Sequence, residues 1–207
     1  MTVNNFEQIK SMLVFDTEDD FYHLQILKRK KEHPDLGSNS LVLKTYYISS
    51  VEYLEMKRLE IINISDFGQA RAYINLNRRS FEKIAYQTLM KVTSQIMNKD
   101  FRSTRKAYES VCGAHSNEKN RKWILDIDWK DYDIENSPVA QQEFVNRVKD
   151  AVDTALTQCD KCGDTTYEVQ TKNGVHLITP AFNPQSFMTE FPKIDIQKNN
   201  PTILYIG

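Results

Sequence analysis

Apolar and polar residues alternate along several short stretches of this chain and recur every three to four positions along others. Alternation marks half-buried strands, and the longer period marks amphipathic helices. Residues 21–31 alternate, with Tyr22, Leu24 and Ile26 on one face and a basic tail behind them. Residues 41–48 and 70–76 have the same strand-like character. Residues 5–13 read as a short helix, and Pro34 and Gly37 put a loop over 32–40. Ser49 and Glu52 have capping-box spacing, which predicts a helix to about Ile62, before Gly68 breaks the chain. Ser80 predicts a second helix start, with Phe81, Ile84, Ala85, Leu89, Val92 and Ile96 on one face. Residues 100–121 are polar and show no clear period.

The second half is more sharply punctuated. An apolar strand spans 122–128. Ser137-Pro138 is a cap followed by a first-turn proline, which predicts a helix to about Gln158 with Phe144, Val148, Val152 and Ala155 on one face. Asn173-Gly174 sits between two alternating runs and predicts a hairpin over 165–179. A short helix over 184–190 and two short strands follow. This β-α-β-β-α-β order predicts an α+β fold. An RRM-like half (split βαβ, mainly antiparallel sheet) is expected over 122–207, packed against an N-terminal α/β half over 1–121.

Chemistry enters with two aspartates on the 122–128 strand. Side chains on a strand alternate faces, so Asp126 and Asp128 point the same way. Two adjacent carboxylates repel unless a cation sits between them, and hard oxygen ligands suit Mg²⁺ or Mn²⁺. An acidic strand end leading into a solvated turn explains the pair equally simply. Further on, His176 follows the Asn173-Gly174 turn and Asp195 sits inside an apolar run. A lone histidine or aspartate of this kind is usually structural. Three such residues in order, on three successive strand contexts, form a more specific pattern.

That order, Asp126-x-Asp128, then Gly174-x-His176, then the apolar-flanked Asp195, resembles the archaeo-eukaryotic primase (primase-polymerase) superfamily, in the form of its small phage-type members. The segments 21–31 and 70–77 add to the likeness. The family's second motif is commonly Ser-x-His, and Gly174 stands here in place of the serine. The resemblance implies a single primase-like catalytic domain over 1–207 with two divalent metals held by Asp126, Asp128 and Asp195. It implies template-dependent nucleotidyl transfer to a 3′-hydroxyl in DNA replication or repair, with His176 contacting the incoming triphosphate. Single-stranded template, nucleoside triphosphates and a replicative helicase are the partners it suggests. Lys172, Arg71, Arg78 and Arg79 are candidate phosphate contacts, and Trp129 is a candidate stacking platform or core residue. A metal-dependent nuclease and a non-catalytic nucleic-acid-binding module are the alternatives. The first would add a lysine or further acid to the strand set, and the second would carry aromatic-rich RNP sequences.

Charge and cysteine content refine this picture. Residues 1–122 carry 20 Lys and Arg against 15 Asp and Glu, whereas residues 123–207 carry 7 against 13. Within the first part, the stretch 71–122 has 12 basic and 4 acidic residues. A basic half beside an acidic one suits a phosphate-tracking surface beside a metal site, and a solvated helix face accounts for it as well. Cys112 and His115, with Cys159 and Cys162, make a candidate Cys₃His zinc set; free cysteines in a loop and a helix end are the plainer reading. Three cysteines and no apolar leader point to a cytoplasmic chain, and no run is long enough for a membrane span.

Overall fold

The computed structural model describes residues 2–114, 121–132, 137–157 and 166–207. In chain order the elements are β1 (Val3–Asn4), α1 (Phe6–Met12), β2 (Asp20–Arg29), β3 (Ser40–Ile48), α2 (Val51–Gly68), β4 (Arg71–Ile74), β5 (Arg79–Ser80), α3 (Phe81–Met97) and α4 (Ala107–Ala114). The second half adds β6 (Lys122–Asp128), α5 (Pro138–Thr157), β7 (Tyr167–Gln170), β8 (Gly174–Pro180), α6 (Pro184–Glu190), β9 (Asp195–Gln197) and β10 (Thr202–Ile206). They build a mixed α+β fold with two antiparallel sheets. The first has the order β1-β10-β4-β2-β3, with β5 pairing the start of β2. The second has the order β7-β8-β6-β9. Among the described residues no helix is long and apolar enough to cross a membrane.

Each sheet has one face sealed by helices. On β2 the alternation sends Tyr22, Leu24 and Ile26 into a core with Phe6 and Ile9 of α1 and Leu54 and Ile61 of α2. On β6 it sends Leu125 and Ile127 against Val148 and Val152 of α5 and Phe187 of α6. The other face of the second sheet is used in two ways. Ile124, Val169 and Ile178 join the first core, so the two sheets share it. Further along the same strands, Asp126 and His176 face open space instead.

The last strand crosses between the halves. β10 pairs with β1 and β4, so residues 202–206 belong to the first sheet although they follow the second in sequence. Asparagines close the seam. Asn77 donates to the carbonyl of Lys122 (3.0 Å) and accepts from its amide (2.8 Å), fixing the start of β6. Asn75 donates to the carbonyl of Asn199 (2.7 Å), just before β10. Asn5 donates to the carbonyls of Gln170 and Ile203, both at 2.9 Å.

Three local expectations are revised. The cap of α2 is Ser50, not Ser49, because Ser50 takes the extended backbone and accepts from the Tyr53 amide. That helix also runs through Gly68 and ends at Gln69 in the left-handed region, so Gly68 is its last residue and not a break after Ile62. On α3 the expected cap at Ser80 is present, but only Ile84 of the apolar face is buried; Leu89 and Ile96 are exposed. Periodicity marks an apolar face without specifying a partner for it. The aperiodic 100–121 stretch contains α4, whose Val111 and Cys112 pack on Phe21 and Ile84.

Asn77 is almost fully buried and forms both bonds to Lys122. Asn77→Ala removes both of these bonds to the half-buried Lys122 backbone and should cost about 2 kcal/mol. Urea unfolding measures this. A loss below ~0.5 kcal/mol, within the range of an ordinary surface change, would show that the asparagine does not hold the seam.

Candidate functional site

The register of the second sheet lines up one row of side chains. Asp126 on β6 lies directly opposite His176 on β8 and directly opposite Asp195 on β9. Directly opposed residues share a face, so the row across the sheet reads Asp195, Asp126, His176. Asp128 lies two residues along on the same face, opposite Gly174. A Cβ at Gly174 would collide with the carbonyl of Ile127, so the close approach of β8 to β6 requires glycine there. This backbone crowding accounts for glycine where the resembled motif has serine.

Hydrogen bonds tie the row together. His176 Nε2 stands 3.4 Å from Asp126 Oδ1, and its Nδ1 is 2.9 Å from Thr202 Oγ1 on β10. The imidazole is therefore gripped by one residue from each sheet. Gln197 donates to Asp195 Oδ2 (2.9 Å) and to Asp126 Oδ2 (3.3 Å), so a single amide bridges two carboxylates. The hydrogen bond from His176 lowers the Asp126 pKa, with help from the positive charge of Arg29 and against the cost of burial. Lys130 pairs with Asp128 Oδ2 at 2.9 Å, and Asp128 Oδ1 is buried without a hydrogen-bond partner among the described residues.

Asp126, Asp128 and His176 open into a cavity of about 340 Å³ together with Arg29, Arg71 and Lys172. A second cavity of about 410 Å³ adjoins it, sharing Arg29, Asp126, His176 and Ile203. Glu32 pairs with Arg71 and lies 4.0 Å from Lys172. Arg29 donates to the Tyr73 hydroxyl at 3.4 Å. Neither Arg29 nor Lys31, also on the cavity wall, has a carboxylate partner among the described residues.

Of the residues expected from sequence, Asp126, Asp128, His176, Lys172 and Arg71 meet at this cavity, and Asp195 joins through Gln197. Arg78 and Arg79 lie elsewhere. Arg78 pairs with Asp16 and Asp20, holding the loop before β2. Arg79 is fully buried and donates to the carbonyls of Cys112 and Asn77, so it is not exposed at the helix start. Trp129 packs against the core under α5 and α6. Cys112 is buried among Phe21, Ile84 and Val111, and burial pushes its thiol up to about 12. The other three residues of the zinc set, His115, Cys159 and Cys162, lie outside the described residues. Among the described residues no group of three or more His, Cys, Asp or Glu side chains is gathered to hold a metal ion. The donors present are the paired carboxylates of Asp126 and Asp128, one with a buried, unpartnered oxygen.

Sequence reasoning missed Arg29, Gln197 and Thr202. Gln197 carried a signal, since it sits two residues after Asp195 and so shares its strand face. Arg29 lay in the basic tail of its strand, where nothing distinguished it from its neighbours. Thr202 had no local signal. Comparison with family models, with curated proteins and with solved structures finds no match.

The Asp126 carboxyl should titrate below its ordinary value of ~3.9, and His176→Ala should move it upward. A depressed carboxyl contributes stability that is present above its unfolded pKa and lost as pH falls through the folded one. Removing His176 should therefore narrow the gap in stability between neutral pH and about pH 3. Carbon-detected NMR of the aspartate carboxyls reads the midpoint. An unchanged Asp126 midpoint in the variant would show that the imidazole does not act on it.

Proposed function

We propose that the chain is a metal-dependent nucleotidyltransferase of primase-polymerase type, joining nucleoside triphosphates to a 3′-hydroxyl on a single-stranded template. The observation that carries this reading is that Asp126, Asp128 and His176 face a cavity rimmed by Arg29, Lys31, Arg71 and Lys172, with Asp195 next to Asp126 in the same row. Carboxylates beside cations, of which Arg29 and Lys31 have no ion-pair partner among the described residues, suit a substrate that brings both metal ions and phosphates. Further support comes from the β6-α5-β7-β8-α6-β9 succession with sheet order β7-β8-β6-β9. We read it as the split βαβ arrangement, with helices on one face and the site on the other.

In this reading Asp126 and Asp128 hold Mg²⁺ or Mn²⁺, and Asp195 completes the set once Gln197 releases it. Hard oxygen donors fit these ions, and the buried, unpartnered Asp128 Oδ1 is an acceptor for one. When bound, the metals supply charge neutralisation for the attacking 3′-oxygen and the departing pyrophosphate. The chain's own residues do the positioning. With the Thr202 hydroxyl donating to Nδ1, the proton of His176 sits on Nε2, which can then donate a hydrogen bond to Asp126 or to a phosphate oxygen. Arg29, Lys31 and Lys172 offer positive charge to the triphosphate. The basic 71–122 stretch, apart from the ion-paired Arg71 and Arg78 and the buried Arg79, serves the template, through contacts that weaken steeply with salt.

The test is incubation with single-stranded template, Mn²⁺ or Mg²⁺ and labelled nucleotides. The wild-type chain should extend or initiate strands, and Asp126→Asn should lower incorporation by at least about 10²-fold with the melting temperature nearly kept. His176→Ala should weaken nucleotide binding by about tenfold while template affinity stays within a factor of about two, as expected for a lost charge-assisted hydrogen bond. Shortened strands in place of extended ones would replace this reading with a nuclease. Incorporation that survives Asp126→Asn would remove Asp126 from the chemistry.

A further inference from the structure

We propose that Arg79 and His23 form a second anion site, separate from the Asp126 cavity, that takes a phosphate group on the open face of the first sheet. Arg79 has no exposed surface. Its Nε donates to the Cys112 carbonyl and its Nη1 to the Asn77 carbonyl (2.6 Å), but Nη2 is buried with no partner among the described residues. No carboxylate pairs with it among the described residues. A guanidinium taken out of water without a counter-charge is costly, and two carbonyl dipoles offset only part of that cost. Burial pushes its pKa down to about 10, which still leaves it cationic at neutral pH. A positive charge kept under these conditions is poised for an anion.

The space for that anion is present. Arg79 lines a cavity of about 190 Å³ with His23, Gln25, Tyr73, Asn75 and Asn199. At ~30 Å³ per water this holds roughly six waters, more than the four oxygens of a phosphate require. The lining is tied together, since Asn75 bonds to the Asn199 carbonyl and Asn199 bonds to the carbonyls of Gly113 (3.2 Å) and Ala114 (3.4 Å). His23 is nearly buried, with Nε2 3.4 Å from Glu109, and its Nδ1 makes no hydrogen bond among the described residues.

Phosphate is favoured over other anions by what lies beside the cavity. The cavity shares Tyr73, Asn200 and Pro201 with the 410 Å³ space that reaches Asp126. His23, Gln25, Leu27 and Arg29 alternate along β2 from one cavity to the other, a distance of about 20 Å at ~3.3 Å per residue. A phosphate here comes either from a nucleic-acid strand laid along β2 or from a small phosphate compound. The inference stands apart from any chemistry at Asp126.

The experiment titrates inorganic phosphate into the full chain at constant ionic strength, with acetate as reference, and follows the imidazole NMR signals together with the backbone amide signals of Asn75 and Arg79, which remain readable in the His23 variant. The His23 signal should shift saturably with phosphate and not with acetate. Arg79 also holds two carbonyls, so Arg79→Gln is paired with His23→Gln, which leaves those bonds intact. His23→Gln should weaken phosphate binding several-fold without lowering the ligand-free melting temperature, and a folded Arg79→Gln should abolish it. Displacement of phosphate by a single-stranded oligonucleotide would assign the nucleic-acid backbone as its source. Undisturbed phosphate binding would assign a small phosphate compound. A His23 signal that ignores phosphate, an equal response to acetate, or an affinity unchanged in His23→Gln would overturn the site.

Discussion

His176 is held by a residue from each sheet, Asp126 on β6 at Nε2 and Thr202 on β10 at Nδ1. The imidazole can point its Nε2 at the cavity only while β10 stays docked between β1 and β4 and β8 stays paired with β6. That makes the seam between the sheets the constraint on which the site depends. Ile124, Val169 and Ile178 supply its apolar part by entering the first core. Asn5, Asn75 and Asn77 supply its polar part by bonding to backbone carbonyls of Gln170, Asn199 and Lys122 where the two halves meet. Side-chain amides suit this work, because each donates and accepts at once.

The same seam brings opposite charges face to face. The basic first half contributes Arg29, Lys31 and Arg71 to the cavity wall, and the acidic second half contributes Asp126 and Asp128. These groups are not cancelled pair by pair. Glu32 occupies Arg71, and Lys130 occupies one oxygen of Asp128, but the cavity keeps carboxylate oxygens on one side and cations on the other. Such a separation of charge in a partly enclosed space costs folding energy, which is the expected price of a binding site.

Local patterning made much of this legible. The apolar strand over 122–128 put Asp126 and Asp128 on one face, and Asn173-Gly174 marked the hairpin whose second strand carries His176. The helix over 138–157 was marked by its proline start and its Val148, Val152 and Ala155 stripe. Long-range facts were not legible. Nothing near Thr202 says that its strand inserts between β1 and β4, because strand order is decided by the whole core. Arg78 and Arg79 look alike in sequence, yet one sits in an ion pair and the other is sealed inside. The two differ because Arg79 opens β5 and Arg78 lies just before it, and a two-residue strand is too short to show a pattern in sequence. The exposed apolar face of α3 teaches the same lesson, since a periodic stripe does not specify what covers it.

The most direct test of the central claim is Mn²⁺ titration followed by paramagnetic NMR, with and without a nucleoside triphosphate. Mn²⁺ should broaden the signals of Asp126, Asp128, Asp195 and His176 first, and the triphosphate should tighten Mn²⁺ binding while extending the broadening to Arg29 and Lys172. Broadening scattered over surface carboxylates, or centred away from β6 and unaffected by the triphosphate, would contradict the account.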